Sequence, residues 1–256
     1  MEVKNIIVYF PWGAGGNLLQ NILSLAPGYQ MISHTGDDVD DKESFLLDYY
    51  GKDITPETWL KREWSIRGYY SNRYYNFEVP GYWNPEFNLV YATHGENRMI
   101  GKLSDNRLLE HWDRYNVEQG NIPEQHCPET THNLTHIFLI PDDYQLTANI
   151  YQSKNPDLSQ LKEVTDPHLR KMEALQSIIT QCKNLYKLEK KLSELGKNVF
   201  HLRAEDLLTS SGVDSIMNLI TKLGLDINAS TVRQVHTLWL DSTRECFRTT
   251  HNRELN

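Results

Sequence analysis

The chain has 256 residues, a formal net charge of −8, 39% hydrophobic and 23% charged residues. This is an ordinary globular balance with enough chain for a large core in one domain, so disordered and fibrous classes are excluded. An acidic chain without a basic stripe excludes a general nucleic-acid binder, and no apolar run approaches the roughly 18 residues of a membrane span.

The opening MEVKNIIVYFPWG has no basic region, apolar segment and cleavage site of a secretory signal, so the expected location is the cytoplasm. Cys127, Cys182 and Cys246 are few, odd in number and far apart. They offer neither metal spacing nor a disulfide framework and read as reduced thiols. Nothing in the sequence fixes an oligomeric state.

Residues 3–10 (VKNIIVYF) form a β-branched and aromatic run stopped by Pro11 and a glycine cluster, the pattern of a buried parallel strand. Residues 17–25 follow with Leu18, Leu19, Ile22 and Leu23 at helical spacing and a stop at Ala26-Pro27-Gly28. Residues 36–43 are acidic but lack the Gly and Glu positions of a calcium loop, and read as a solvated turn. Helices are expected over 42–50 and 55–67, and an irregular stretch over 68–88.

The run 88–94 (NLVYATH) predicts a second strand, 104–115 a helix and 117–133 a loop. Residues 135–140 (THIFLI) predict a third strand stopped by Pro141. A helix then begins with Asp142 or Asp143 as cap and Leu146, Ile150 and Tyr151 on its inner face. A long amphipathic helix spans 168–195, a fourth strand 198–203, and further helices 212–223 and 229–247. Strands alternating with helices predict an α/β fold, a mainly parallel sheet covered on both faces, with ligands at the carboxyl ends of its strands. The expected organisation is a single domain over 1–256 with an irregular, aromatic-rich insertion at about 45–88.

Four segments carry chemistry. In Trp12-Gly13-Ala14-Gly15-Gly16-Asn17 the glycines, between a strand and a helix, let main-chain N–H groups turn around an anion at the positive end of the helix. The same loop without a ligand would be a tight turn. Neither a Walker lysine nor the third glycine of a dinucleotide fingerprint is present. His94 closes the strand YATH, where a histidine serves as a general base or as a structural residue. Ile140-Pro141-Asp142-Asp143 leads into a helix that carries Asn149, and Arg203-Ala204-Glu205-Asp206 follows the last strand.

Taken in order, FPWGAGGNLLQNIL, YATHGE, HIFLIPDDYQLTANIY and FHLRAEDLL with KLGL resemble the sulfotransferase family. The resemblance touches about 50 residues spread along the chain. It implies a three-layer P-loop-type fold with a central, mainly parallel sheet flanked by helices. It implies PAPS as sulfuryl donor, its 5′-phosphosulfate held by main-chain groups of Gly13, Ala14, Gly15, Gly16 and Asn17. It also implies His94 as catalytic base, no metal, and a hydroxyl-bearing small-molecule or carbohydrate acceptor.

The pattern departs from the family at three places. The donor loop carries no lysine or arginine, Pro141 stands where the family's 3′-phosphate arginine would be, and Asn149 replaces its serine, as a side-chain donor expected to contact the 3′-phosphate. Losing the loop cation costs about 2–4 kcal/mol of transition-state stabilisation unless another group replaces it. Tyr69, Tyr70, Tyr74, Tyr75, Tyr82 and Trp83 either stack on an acceptor sugar or pack the insertion onto the domain. The rival readings are a non-catalytic anion-binding protein on the same fold, a magnesium-dependent P-loop kinase or nucleotide hydrolase, and a dehydrogenase using Asp37 or Asp38 for a ribose.

Overall fold

The structure, a computed structural model, describes residues 6–31, 88–94, 135–155 and 166–255. The expected aromatic insertion at 45–88, the acidic turn at 36–43, the helices at 42–50, 55–67 and 104–115, the loop at 117–133 and Cys127 lie outside the described residues, apart from residue 88.

In chain order the elements are β1 (Ile6–Phe10), α1 (Gly16–Leu23), β2 (Tyr29–Met31), β3 (Asn88–His94), β4 (Thr135–Ile140), α2 (Tyr144–Lys154), α3 (Pro167–Glu194), β5 (Asn198–Arg203), a 3-10 turn (Ala204–Leu208), α4 (Gly212–Leu223) and α5 (Ala229–His251). The five strands form one parallel sheet in the order β2-β3-β1-β4-β5. The chain is thus α/β, with β1 at the centre and β4 beside it. Every residue of β1 and β4 is buried, which explains why IIVYF and the IFLI of β4 do not alternate between apolar and polar residues.

Alternate residues of β1 face opposite layers. Ile6, Val8 and Phe10 join Leu18, Leu19 and Ile22 of α1, Ile216 and Ile220 of α4, and Val232, Val235 and Trp239 of α5 in one core. Tyr9 faces the other way and stacks on Phe138 at 4.7 Å. The long helix α3 packs on β1, β4 and β5 and buries Ile178, Cys182 and Leu185. Apolar burial of this kind is worth about 1.5–3 kcal/mol for each large side chain and is the main force holding the layers to the sheet.

The helix ends follow local chemistry. Asp143 caps α2 by accepting from Leu146 N at 2.8 Å, and Asp166 caps α3 from His168 N at 2.8 Å with Pro167 in the first turn. Asn228 caps α5, accepting from Ser230 N at 2.8 Å. Gly224 ends α4 with φ 67°, a left-handed conformation that suits glycine. No helix of the described residues is long and apolar enough to cross a membrane.

Candidate functional site at the carboxyl edge of the sheet

β1 ends at Phe10, and the loop 11–15 turns directly into α1. Its shape is fixed from three sides. Trp12 N donates to Gln181 Oε1 of α3 at 3.0 Å, and the Trp12 indole stacks on Tyr151 of α2 at 4.9 Å. Gly13 and Gly15 have φ values of 82° and 86°, which favour glycine. A Cβ on Gly13 would lie 2.6 Å from the carbonyl oxygen of Thr147, and one on Gly15 would lie 3.0 Å from the Trp239 ring. A Cβ on Gly16 would collide with the ring of Phe10.

The Cα side of each of these glycines is therefore turned to protein. Ala14 N donates to Pro11 O at 3.2 Å. The N–H groups of Gly13, Gly15, Gly16 and Asn17 meet no acceptor among the described residues. Gly15 caps α1 without a side-chain acceptor, and the first turn contains no acidic residue. Unfilled donors at the positive end of a helix attract an anion.

The main chain of β3 brings His94 to the same edge. β3 runs parallel to β1 in a register that pairs Phe10 with His94. His94 therefore closes its strand level with the residue from which the glycine loop departs.

On the other side of β1, the exit of β4 is acidic. Glu205, in the 3-10 turn after β5, accepts through Oε1 from Asp142 N and Asp143 N, each at 2.7 Å. Its Oε2 is buried without a hydrogen-bond partner among the described residues. Arg203 Nε pairs with Asp142 Oδ2 at 3.0 Å, and the Asp143 side chain occupies Leu146 N. The N–H groups of Asp142, Asp143 and Leu146 are thus taken by the protein's own carboxylates.

Asn149 is not brought to the loop. Thr147 and Tyr151 form the face of α2 that meets Gly13, and at 3.6 residues per turn Asn149 falls on the opposite side. There its Oδ1 accepts from Gln145 Nε2 at 3.2 Å, and its carbonyl is 2.9 Å from His251 Nε2. The described structure therefore brings together Gly13, Ala14, Gly15, Gly16, Asn17 and the main chain of His94, and sets Asn149 apart.

Sequence reasoning placed Tyr151 on the inner face of α2 but not against the loop, and missed the other residues that hold the loop. Thr147, Tyr151 and Lys154 share one face of α2, a spacing of i, i+4, i+7 that marks a packed stripe. Lys154 is buried, and its Nζ lies 4.8 Å from the centroid of the Trp239 ring, whose edge covers Gly15. Gln181 and Trp239 belong to helices distant in sequence, and no local signal pointed to them. Burial pushes the nearby Cys182 thiol up to about 12, with the Glu205 charge adding to the effect, so this sulfur stays protonated and is a poor nucleophile at neutral pH.

Among the described residues no three His, Cys, Asp or Glu side chains are grouped to hold a metal ion. No protein-family model matches the chain, and no curated protein is significantly similar to it.

Proposed function

We propose that the chain is a sulfotransferase-like protein of the P-loop type that holds the 5′-phosphosulfate of a nucleotide donor related to PAPS on the loop 13–17 and serves a hydroxyl-bearing small-molecule or carbohydrate acceptor. The observation that carries the reading is the β1–β3 register, which sets His94 level with Phe10 at the start of a loop with unfilled N–H donors. The strand order adds support. The chain leaves β1 toward β2 on one side and leaves β4 toward β5 on the other. The crevice between β1 and β4 is therefore a topological switch point, where open parallel sheets bind ligands.

The residues fit one half of the donor. The main-chain donors of Gly13, Gly15, Gly16 and Asn17 suit a phosphosulfate. The exit of β4 does not suit a 3′-phosphate, since Glu205 already occupies Asp142 N and Asp143 N, Asp143 occupies Leu146 N, and a phosphate would meet these carboxylates. When bound, the donor supplies a sulfuryl group. His94 accepts the proton of the acceptor hydroxyl while its oxygen bonds to sulfur, the bond from sulfur to the nucleotide phosphate oxygen breaks, and the loop N–H groups meet the charge left on that phosphate. The Lys154 ammonium, buried beside Trp239, is placed to add long-range positive potential.

A second reading, an anion-binding protein on the same fold without transfer activity, is favoured by the lack of a cation within residues 11–17. Calorimetric titration with AMP, PAP, ATP and NAD, with and without magnesium, separates the classes. Magnesium-independent micromolar binding of AMP or PAP supports the donor loop, and silence from every nucleotide overturns it. With a donor bound, His94→Ala is expected to keep affinity and to lower transfer by about 10²–10⁴-fold. If wild-type protein binds a donor and turns over no acceptor from a hydroxyl panel, the second reading replaces the first.

A further inference from the structure

We infer that Glu205, with Asp142, is a specificity-determining residue that excludes a second phosphate, so that the ligand carries one anionic end and is neutral where it meets the exit of β4. The inference rests on the loop 13–17 holding the ligand's phosphate. β1 and β4 are neighbours in the sheet, and Gly13 lies against Thr147 of α2, so a ligand seated on the loop has the β4–α2 turn beside it.

That turn has the backbone of an anion site, with consecutive N–H groups at the start of a helix. The anion is already present and covalently part of the protein. Glu205 Oε1 takes both Asp142 N and Asp143 N at 2.7 Å. Glu205 Oε2 is buried and meets no donor among the described residues. Asp142 and Asp143 add two exposed carboxylates, and Arg203 is engaged with Asp142 at 3.0 Å. A phosphate arriving here would have to displace a tethered carboxylate from its donors and sit among like charges, whereas a ribose hydroxyl meets no such opposition. The ligand class is therefore a nucleoside 5′-phosphate or 5′-phosphosulfate with a free 3′-hydroxyl, in preference to its 3′-phosphorylated counterpart.

The test is competitive titration of the full chain with AMP and with PAP, in wild type, Glu205→Gln and Asp142→Asn. Glu205→Gln keeps an oxygen for the two N–H groups while removing the charge, and Asp142 is exposed, so its variant keeps the fold if the first does not. Wild type is expected to prefer AMP by at least about tenfold, with the ratio moving toward one in either variant. A merely structural role for Glu205 would change both affinities together and leave the ratio alone, which overturns the inference. Equal or tighter binding of PAP by wild type also overturns it and leaves the loop reading standing. Failure of both nucleotides to bind removes the loop reading and this inference with it.

Discussion

Gly13 is pressed against the backbone of Thr147, so closely that a Cβ would lie 2.6 Å from its carbonyl oxygen. Gly13 also has φ 82°. Gly13→Ala therefore meets both a backbone penalty and a collision with a main-chain atom that cannot swing away, and is expected to cost about 3 kcal/mol. Gly28 gives the control: its φ is 76°, and no described residue lies within 4 Å of a Cβ there. Gly28→Ala should cost only about 1 kcal/mol, the backbone part alone. Urea unfolding of the two variants measures the difference.

His136 is fully buried on β4, with Nδ1 3.1 Å from Tyr9 Oη and Nε2 without a partner among the described residues. Burial holds its pKa down at about 3, against an ordinary 6.5, with Lys197 adding to the effect. The folded protein therefore keeps it neutral while the unfolded chain protonates it. This contribution to stability is fully present above pH 6.5 and is lost as pH falls toward about 3. Within that window the slope from this group approaches about 1.4 kcal/mol per pH unit. The difference in slope between wild type and His136→Phe, from thermal or urea unfolding across the window, isolates it from the carboxylates.

Gln181 Oε1 accepts the N–H of Trp12 across a sequence distance of 169 residues. Gln181→Leu keeps the apolar bulk and removes that acceptor. It should destabilise by about 1–3 kcal/mol, the cost of a buried donor left unpaired. It should also weaken nucleotide binding at the loop, because Trp12 immediately precedes the unfilled donors. Unfolding and calorimetry on the same variant check both outcomes.

Asn149 and Gly15 make opposite predictions for binding. Asn149→Ala is expected to leave nucleotide affinity within about twofold, since the side chain is bonded to Gln145 on the far face of α2. Gly15→Ala, at φ 86° and 3.0 Å from the Trp239 ring, distorts the loop and should abolish detectable binding. A large loss with Asn149→Ala would return that residue to the binding site.

Asn228 accepts from Ser230 N and Thr231 N at the start of α5. Asn228→Ala should cost about 1 kcal/mol without altering binding, which fixes the scale of a pure stability effect in this protein.

Much of the architecture was legible in the chain itself. The runs 88–94, 135–140, 198–203 and 212–223 coincide with β3, β4, β5 and α4, because glycine, proline or a change of hydrophobic period bounds each of them. The long helices α3 and α5 begin within a residue of expectation, where Asp166 and Asn228 cap them, and α5 continues to His251 rather than 247. β2 went unseen because Tyr29–Met31 is too short to show a period. The central place of β1 was not legible, since strand order depends on contacts between residues far apart in sequence. For the site, the glycine loop and the strand end at His94 were visible as local patterns. The capping role of Glu205 was not, because its partners are 62 and 63 residues away.

The Trp239 indole lies with its edge against Gly15 and the Lys154 ammonium 4.8 Å from its ring centroid. An anion settling on the loop would alter the electric field across that ring from one side while the lysine holds it from the other. The emission of this one tryptophan, among the six in the chain, then becomes an optical gauge of loop occupancy that needs no attached dye. Replacing the tryptophans other than Trp12 and Trp239 with phenylalanine would leave the loop intact and its two neighbouring indoles as the only reporters.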